Sequence, residues 1–188
     1  MTPPAPGLCR RSLIAIAAGM AGAGIGACSP KPTPSNVPLR RRTPEALADA
    51  ALLDSLLGLE RHAIAAYSVA VPLLSPAASR AARQFLAQEL AHAGEIEGLI
   101  AQAGARPSRP PAFYDLGSPQ GETALLALLH RAETAQLAGY LDAIPRLSPS
   151  RLRAAAAAIL ANHAQHAAVL RGRLGLAAVP GALVGAGE

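Results

Sequence analysis

The chain has 188 residues, enough for one domain with its own core, and only 3% of them are aromatic. Its formal net charge of +5 is modest, Lys31 is the only lysine, and no basic stripe interleaves with aromatic residues. This composition argues against nucleic-acid binding, and the lack of alternating β-branched segments argues against a sheet.

Residues 1–27 have the pattern of an export signal, which is removed before the mature protein functions. Arg10 and Arg11 precede an apolar run that is too short and too rich in glycine for a good membrane span. This arrangement resembles a twin-arginine signal. The small residues before Cys28 resemble a lipobox, so Cys28 is the predicted lipidation site. An ordinary secretory peptide cleaved near Ala27 is the alternative.

Residues 28–42 form a linker rich in proline, which favours an extended and semi-rigid spacer. Such a spacer would hold a folded domain away from a membrane surface. We therefore expect an exported protein that is anchored through lipid on Cys28. Its predicted location is the outer side of the cytoplasmic membrane or the periplasm.

Four hydroxyl–proline pairs divide residues 43–175 into segments of helical length. Ser or Thr followed by Pro is the pattern of a helix N-cap and first helical position. The pairs are Thr43-Pro44, Ser75-Pro76, Ser118-Pro119 and Ser148-Pro149. They predict four helices, near 44–72, 76–103, 119–145 and 149–174. The heptad-like apolar spacing indicates a bundle, and residues 176–188 are expected to form a flexible tail.

The lengths of the connections predict the topology of the bundle. Only a few residues separate helices 1 and 2, or helices 3 and 4, so each pair is expected to be an antiparallel hairpin. The segment from Gly104 to Gly117 is much longer, and at ~3.3 Å per residue it could cross most of a ~40 Å helix. The predicted fold is an all-α, up-down-down-up four-helix bundle with a long crossover between helices 2 and 3.

Glu89 and His92 form a Glu-x-x-His motif in the middle of the second helix. Positions i and i+3 lie on one face of a helix, so both side chains can bind the same metal ion. In four-helix di-metal proteins two helices bring such a pair and the other two each bring a Glu. The motif therefore predicts matching residues in the other helices.

A repeat of 73 or 74 residues supplies those matches. The paired positions are Glu60 with Glu133, Tyr67 with Tyr140, Glu89 with His163, and His92 with His166. All of them lie near the middle of a predicted helix and are expected to share one buried layer. Burying so many ionisable groups is costly unless they are paired or bound to metal.

The order of these residues resembles the ferritin-like superfamily, whose pattern is Glu, Glu-x-x-His, Glu, Glu-x-x-His. The resemblance covers residues 43–174, and the N-terminal segment resembles that of exported ferritin-like lipoproteins of unknown function. The departure is His163, where the family has Glu, and it weakens the case for a carboxylate-bridged di-iron centre. Manganese catalases are similar to this chain in binding metal through His on that helix.

The resemblance implies a metal site with six ligands, which are Glu60, Glu89, His92, Glu133, His163 and His166. Fe or Mn is expected, in a dinuclear or mononuclear site, and Zn stays open. Tyr67 and Tyr140 are expected to hydrogen bond to the nearby carboxylates, and His130 to support a ligand. Without metal, Glu60 is expected to hydrogen bond to His166, and Glu133 to His92.

Two functions remain open from the sequence. The first is a ferritin-like metal-binding envelope lipoprotein that does redox work on peroxide or dioxygen. The second is a non-enzymatic envelope scaffold or binding lipoprotein with a degenerate, metal-free site. Whether the protein is an enzyme stays open. The membrane is the expected partner, through lipid on Cys28, nucleic acid is not expected, and a homodimer is left open.

Overall fold

The computed structural model describes residues 43–181, so the predicted signal, the linker and Cys28 lie outside the described residues. The four α-helices are α1, Pro44–Ala70; α2, Pro76–Gln102; α3, Gly121–Ala143; and α4, Ser150–Arg173. Short 3₁₀ turns, Val71–Leu73 and Ile144–Arg146, extend α1 and α3. Residues 43–181 contain no strand, and the predicted all-α bundle is confirmed. None of these helices is long and apolar enough to span a membrane.

Two crossed hydrogen bonds establish the direction of the helices. Tyr140 Oη donates to Glu60, and Tyr67 Oη donates to Glu133. Moving seven residues forward along α1 therefore moves seven residues backward along α3, so these helices are antiparallel. Because α1 and α2 form a short hairpin, α2 and α3 run parallel, and the predicted up-down-down-up topology is confirmed.

The crossover between α2 and α3 follows the outer side of α1. The Ser108 N–H donates to Asp54 Oδ1 at 2.8 Å, and its carbonyl accepts from Arg61 Nη1 at 2.7 Å. Further along, the Tyr114 ring packs edge-on against His62, with ring centroids 5.8 Å apart. The crossover therefore runs along the bundle, as its length predicts, and covers the α1 side of the bundle.

Two buried apolar clusters fill the bundle on either side of its middle. The cluster near the end of α1 contains Ala66, Ala70, Phe85, Leu125, Leu129 and Leu170. The cluster near the start of α1 contains Leu53, Leu56, Ile96, Ile100, Leu152 and Ile159. The predicted layer of ionisable residues lies between them, so apolar packing separates it from both ends of the bundle.

The internal repeat extends to the two hairpin turns. The Ser148 N–H donates to Asp49 Oδ1 at 2.9 Å, and Asp49 is only 3% exposed. The Ser75 N–H and Oγ donate to Glu122 at 3.3 Å and 2.7 Å. The two acids are 73 residues apart, and so are the two serines. Each hairpin therefore supplies an acid to the turn of the other hairpin.

This exchange explains why the predicted serine side-chain caps are not formed: Ser75 is the N-cap residue of α2, as predicted, but makes no cap hydrogen bond, and the predicted cap of α4 at Ser148 is wrong because Pro149 is its N-cap residue. Thr43 does cap α1, because its Oγ1 accepts from the Ala46 N–H at 3.2 Å. Ser75 precedes α2 but its side chain makes no cap hydrogen bond, because Glu122 accepts from it instead. The helix α4 begins at Ser150, and the backbone N–H of Ser148, in the turn before it, donates to Asp49 of α1.

The predicted start of α3 is also wrong, by two residues. The helix begins at Gly121 rather than after Ser118, and Gln120 occupies the cap position without a side-chain hydrogen bond. Gly121 has a φ of 77°, a left-handed conformation that favours glycine. This reversal of the backbone prevents a regular helix from starting at Pro119.

Candidate metal centre

The structure brings the six predicted ligand residues together in one layer that receives side chains from all four helices. Five of them are at most 1% exposed, and the His92 side chain is 13% exposed. They form two overlapping groups of four, in which the candidate ligand atoms lie within 4.8 Å of one another. One group is Glu60, Glu89, His92 and His163, and the other is Glu89, Glu133, His163 and His166. Glu89 and His163 belong to both groups.

His163 lies at the centre of the layer, between three carboxylates. Its Nδ1 is 3.0 Å from Glu133 Oε2 and 3.5 Å from Glu89 Oε1. Its Nε2 is 3.1 Å from Glu60 Oε1. Nδ1 therefore faces the carboxylates of Glu133 and Glu89, whereas Nε2 faces the carboxylate of Glu60. The imidazole occupies the position where the superfamily pattern has a carboxylate.

His166 is held in one orientation by contacts on both sides of its ring. Its Nε2 lies 2.6 Å from Gln88 Oε1, and the ring stacks on Phe85 at a centroid distance of 4.0 Å. An amide oxygen only accepts hydrogen bonds, so Nε2 carries a proton. The other nitrogen, Nδ1, faces Glu133 Oε1 at 3.1 Å and Glu89 Oε1 at 3.2 Å. His166 therefore presents Nδ1 to the layer.

Two buried atoms of the layer, His92 Nδ1 and Gln136 Oε1, lack a hydrogen-bond partner within the described residues. Glu89 Oε1 makes only imidazole contacts, with His166 Nδ1 at 3.2 Å and His163 Nδ1 at 3.5 Å. His92 Nδ1 lies 3.6 Å from Glu60 Oε2, too far for a normal hydrogen bond. An unpartnered buried donor or acceptor costs about 1–3 kcal/mol, and coordination to an ion would satisfy His92 Nδ1.

The close pairing of acids and imidazoles shifts their pKa values in opposite directions. Burial by itself lowers the pKa of His163, but hydrogen bonds with Glu133, Glu60 and Glu89 outweigh it and raise the pKa to about 11. Burial raises the pKa of Glu89, but hydrogen bonds with His163 and His166 outweigh this effect and hold it below its usual range. Without metal, the contacts of Glu89 with His163 and His166 therefore favour an ionised carboxylate beside protonated imidazole rings.

The two repeat-related tyrosines are fully buried and donate to carboxylates. Tyr67 Oη lies 2.5 Å from Glu133 Oε1, and Tyr140 Oη lies 2.5 Å from Glu60 Oε1. Burial and the adjacent carboxylates raise the pKa of both phenols well above the usual value. Both hydroxyls therefore stay protonated, and the predicted tyrosine–carboxylate hydrogen bonds are confirmed.

Gln136 is a member of the layer that the sequence analysis missed. It is fully buried, and its Nε2 donates to Glu89 Oε2 at 2.6 Å and to Glu60 Oε2 at 3.1 Å. A signal was present, because Glu133-x-x-Gln136 has the same i, i+3 spacing as Glu89-x-x-His92. Gln136 therefore fixes two of the carboxylates, at a position where a fourth histidine would have matched the motif.

The predicted metal-free pairs of Glu60 with His166 and Glu133 with His92 are wrong. Glu60 instead faces His163 and His92, and Glu133 faces His163 and His166. The reason is the packing order, since α1 packs against α2 and α3, and α3 packs against α4. Glu60 therefore meets His92 within its own hairpin, and Glu133 meets His166 within the other.

His130 does not reach the layer through a hydrogen bond. Within residues 43–181 its ring has no hydrogen-bond partner among the six candidate ligands, and it is half-buried one turn before Glu133. Burial, with a further contribution from Arg171, lowers its pKa. The support expected from His130 is provided by Gln88 and Gln136 instead.

A four-helix bundle of two hairpins, with a long crossover and a buried layer of Glu and His, is the arrangement of ferritin-like carboxylate proteins. A family profile described as a ferritin-like domain matches residues 48–176, and the chain belongs to this family.

Two solved structures have a similar fold. One is a conserved hypothetical protein, rv2844, from Mycobacterium tuberculosis, with 20% identity and a TM-score of 0.67 over 74% of this chain and 99% of that chain. The other is a ferritin-like, diiron-carboxylate protein from Bacillus anthracis str. Ames, with 16% identity and a TM-score of 0.64 over 70% and 99%. At these identities the similarity shows the fold alone. No curated protein matches the chain.

Proposed function

We propose that the protein is an exported ferritin-like lipoprotein that binds a transition metal, Fe or Mn, and does redox work on peroxide or dioxygen. The observation that carries the proposal is the pair of four-residue groups that share Glu89 and His163. Each group combines two carboxylates with two imidazoles, a donor set that suits Fe, Mn or Zn. His92 Nδ1, which has no hydrogen-bond partner within the described residues, lies among the candidate ligand atoms of the first group.

Six residues would hold the metal, namely Glu60, Glu89, His92, Glu133, His163 and His166. The metal would supply the electrons for reaction with the oxidant and polarise it. The protein fixes the ligands through neighbours: Gln88 orients His166, and Gln136 holds Glu89. The apolar clusters on both sides exclude bulk water from the layer.

The charge of the layer favours an anionic or polarisable substrate. Glu60, Glu89 and Glu133 are the three carboxylates among the six candidate ligands. Two divalent ions would bring four positive charges, and three carboxylates leave about one of them without compensation. His163 is the cause, because a Glu at this position would complete the balance. A buried excess of positive charge favours binding of hydroxide or hydroperoxide over that of a neutral organic molecule.

Access to the layer also favours a small oxidant. His92 is the exposed member of the set, with 13% of its side chain accessible, whereas the other five are at most 1% exposed. Solvent therefore reaches the cluster at the His92 edge. This limited exposure favours a substrate with few atoms over a larger one.

The place of action that we propose depends on the N-terminal segment. Arg10 and Arg11 before an apolar run, followed by small residues and Cys28, support export and lipid attachment to a membrane. The twin-arginine route carries proteins that are already folded. A folded bundle would therefore acquire its metal in the cytoplasm, before export and anchoring.

Metal analysis of the exported protein, purified without chelator and reconstituted with Fe, Mn or Zn, tests the proposal. We expect one or two ions per chain, and we expect Glu89→Gln to lose them. Glu95→Gln is the matched control, because it makes the same change at an exposed position of the same helix. Occupancy below roughly a tenth of an ion per chain for all three metals would overturn the proposal.

A second function, a metal-free scaffold, is favoured by a different observation. Most polar atoms of the layer are satisfied within the protein, through Tyr67–Glu133, Tyr140–Glu60 and Gln136–Glu89 hydrogen bonds. On this view Glu89→Gln leaves folding intact or stabilises the bundle by removing buried charge. Thermal unfolding with and without added metal separates the two functions, because only a metal site makes the wild-type unfolding temperature rise with metal concentration.

A further inference from the structure

A cleft of about 330 Å³ lies between the first turns of α2 and the last turn of α4. Its lining consists of Ala77, Arg80, Ala81, Gln84 and Arg173. Two guanidinium groups and an amide therefore face a space whose other walls are alanines. The lining contains no carboxylate, so the positive charge of the cleft is not compensated from within it.

The two arginines also lack acidic partners elsewhere in the described chain. Among residues 43–181, the arginines that form ion pairs with carboxylates are Arg61 and Arg146. Glu122 contacts the start of α2, but its oxygens accept from Ser75 and it does not line the cleft. Two like charges that share a cleft repel each other, and a bound anion would relieve that repulsion.

One of the guanidinium groups is held in place by the backbone. Arg173 Nη2 donates to the Ala77 carbonyl at 3.1 Å, which ties the end of α4 to the start of α2. Within residues 43–181 the other N–H groups of this planar fork make no hydrogen bond, so they can bind an oxyanion in two-point fashion. Arg80 makes no hydrogen bond among residues 43–181, so no group in that part of the chain competes with an anion for its guanidinium N–H donors.

The cleft lies on the same seam as the buried layer. Arg80, Gln84 and Gln88 follow at i, i+4 and i+8 on α2, so they share one face of the helix. Gln88 hydrogen bonds to His166, and Arg173 lies two turns after that histidine on α4. At 1.5 Å rise per residue, the cleft is ~12 Å along the helix axis from Gln88. It is therefore a site separate from the candidate metal centre.

We propose that this cleft binds a small oxyanion of the phosphate class. The chemistry fits because two guanidinium groups and one amide can donate hydrogen bonds, and the lining contains no carboxylate that would attract a cationic ligand. Free phosphate and the phosphate of a lipid headgroup could both accept hydrogen bonds from these donors. Binding does not require the metal centre, so the test succeeds or fails independently of the proposed function.

Titration of the ¹⁵N-labelled full chain with inorganic phosphate, at constant ionic strength and without added metal, tests the proposal. The arginine Nε–H resonances are followed by NMR. We expect saturable binding with a Kd on the order of 1 mM or tighter, and about tenfold weaker binding for Arg80→Gln or Arg173→Gln. Arg83→Gln is the matched control, because Arg83 is exposed on α2 but does not line the cleft.

Vesicles of phosphatidylglycerol provide the second arm. Saturable binding of free phosphate without flotation of the protein on vesicles identifies a free oxyanion as the ligand. Flotation that Arg80→Gln abolishes and Arg83→Gln leaves intact identifies the lipid phosphate. Absence of binding in both arms, or equal weakening by Arg80→Gln and Arg83→Gln, overturns the proposal. Arg80 makes no hydrogen bond within residues 43–181, so we expect Arg80→Gln to fold normally. A loss of binding in this variant therefore reports on the cleft and not on folding.

Discussion

The exchange of acids between the two hairpins offers a test within one molecule of how burial affects a hydrogen bond. Asp49 and Glu122 occupy repeat-equivalent positions, and each accepts from a turn serine of the other hairpin. They differ in exposure, because Asp49 is 3% exposed and Glu122 lies on the surface. We predict that Asp49→Ala destabilises the bundle more than Glu122→Ala does, although Glu122 makes more hydrogen bonds.

The expected magnitudes follow from the two environments. A hydrogen bond to a charged group shielded from water contributes about 1.5–3 kcal/mol, so Asp49→Ala should lower the free energy of unfolding by about 2 kcal/mol. At the surface, water replaces the lost acceptor, and Glu122→Ala should cost about 0–1 kcal/mol. The difference between the two variants is therefore expected to exceed about 1 kcal/mol.

Urea unfolding of both variants, followed by circular dichroism in the presence of chelator, measures this difference. With an m-value of about 2 kcal/mol/M, Asp49→Ala should lower the urea midpoint by about 1 M and Glu122→Ala by less than half of that. Equal midpoints for the two variants, or a larger loss for Glu122→Ala, would refute the reasoning. An unchanged m-value would show that the comparison concerns stability alone.

Three further predictions concern the site, the helix packing and export. Gln88→Leu removes the acceptor that orients His166 and should weaken metal binding about 10–100-fold in a chelator competition assay; unchanged affinity contradicts this role. A Cβ at Gly139 would overlap Leu59 Cδ1, so Gly139→Val should destabilise the protein by about 1–3 kcal/mol in thermal unfolding, whereas a higher melting temperature contradicts it. Replacing Arg10 and Arg11 with lysine should retain the precursor in the cytoplasm on cell fractionation, and normal export would indicate a general secretory signal.

The layer of ionisable residues could be predicted from the sequence because helical geometry is regular. Glu60 and Glu133 lie at similar depths in their helices, and the i, i+3 spacing of Glu89 and His92 puts both on one face. The repeat then requires the two hairpins to place their residues at the same level. Depth along a helix and the face of a helix are properties that spacing alone determines.

Contacts between helices could not be predicted in the same way. The pairing of Glu60 with His92, rather than with His166, depends on which helices are neighbours, and spacing within one helix carries no such information. Gln88 and the Ser75–Glu122 contact were missed for the same reason, since each joins residues that are distant in sequence. Local capping patterns failed where a tertiary contact satisfied the same backbone or hydroxyl group.

The crossover contributes no side chain to the candidate metal centre, and this has a consequence for assembly. Each hairpin supplies half of the six candidate ligands: Glu60, Glu89 and His92 from the first, and Glu133, His163 and His166 from the second. The crossover connects the two hairpins and therefore sets the effective concentration of one hairpin, with its three candidate ligands, near the other. An ion bound by Glu89 and His163 would join the two halves directly. If the protein binds metal as we propose, metal occupancy and association of the hairpins would be coupled, and each would stabilise the other by the same free energy.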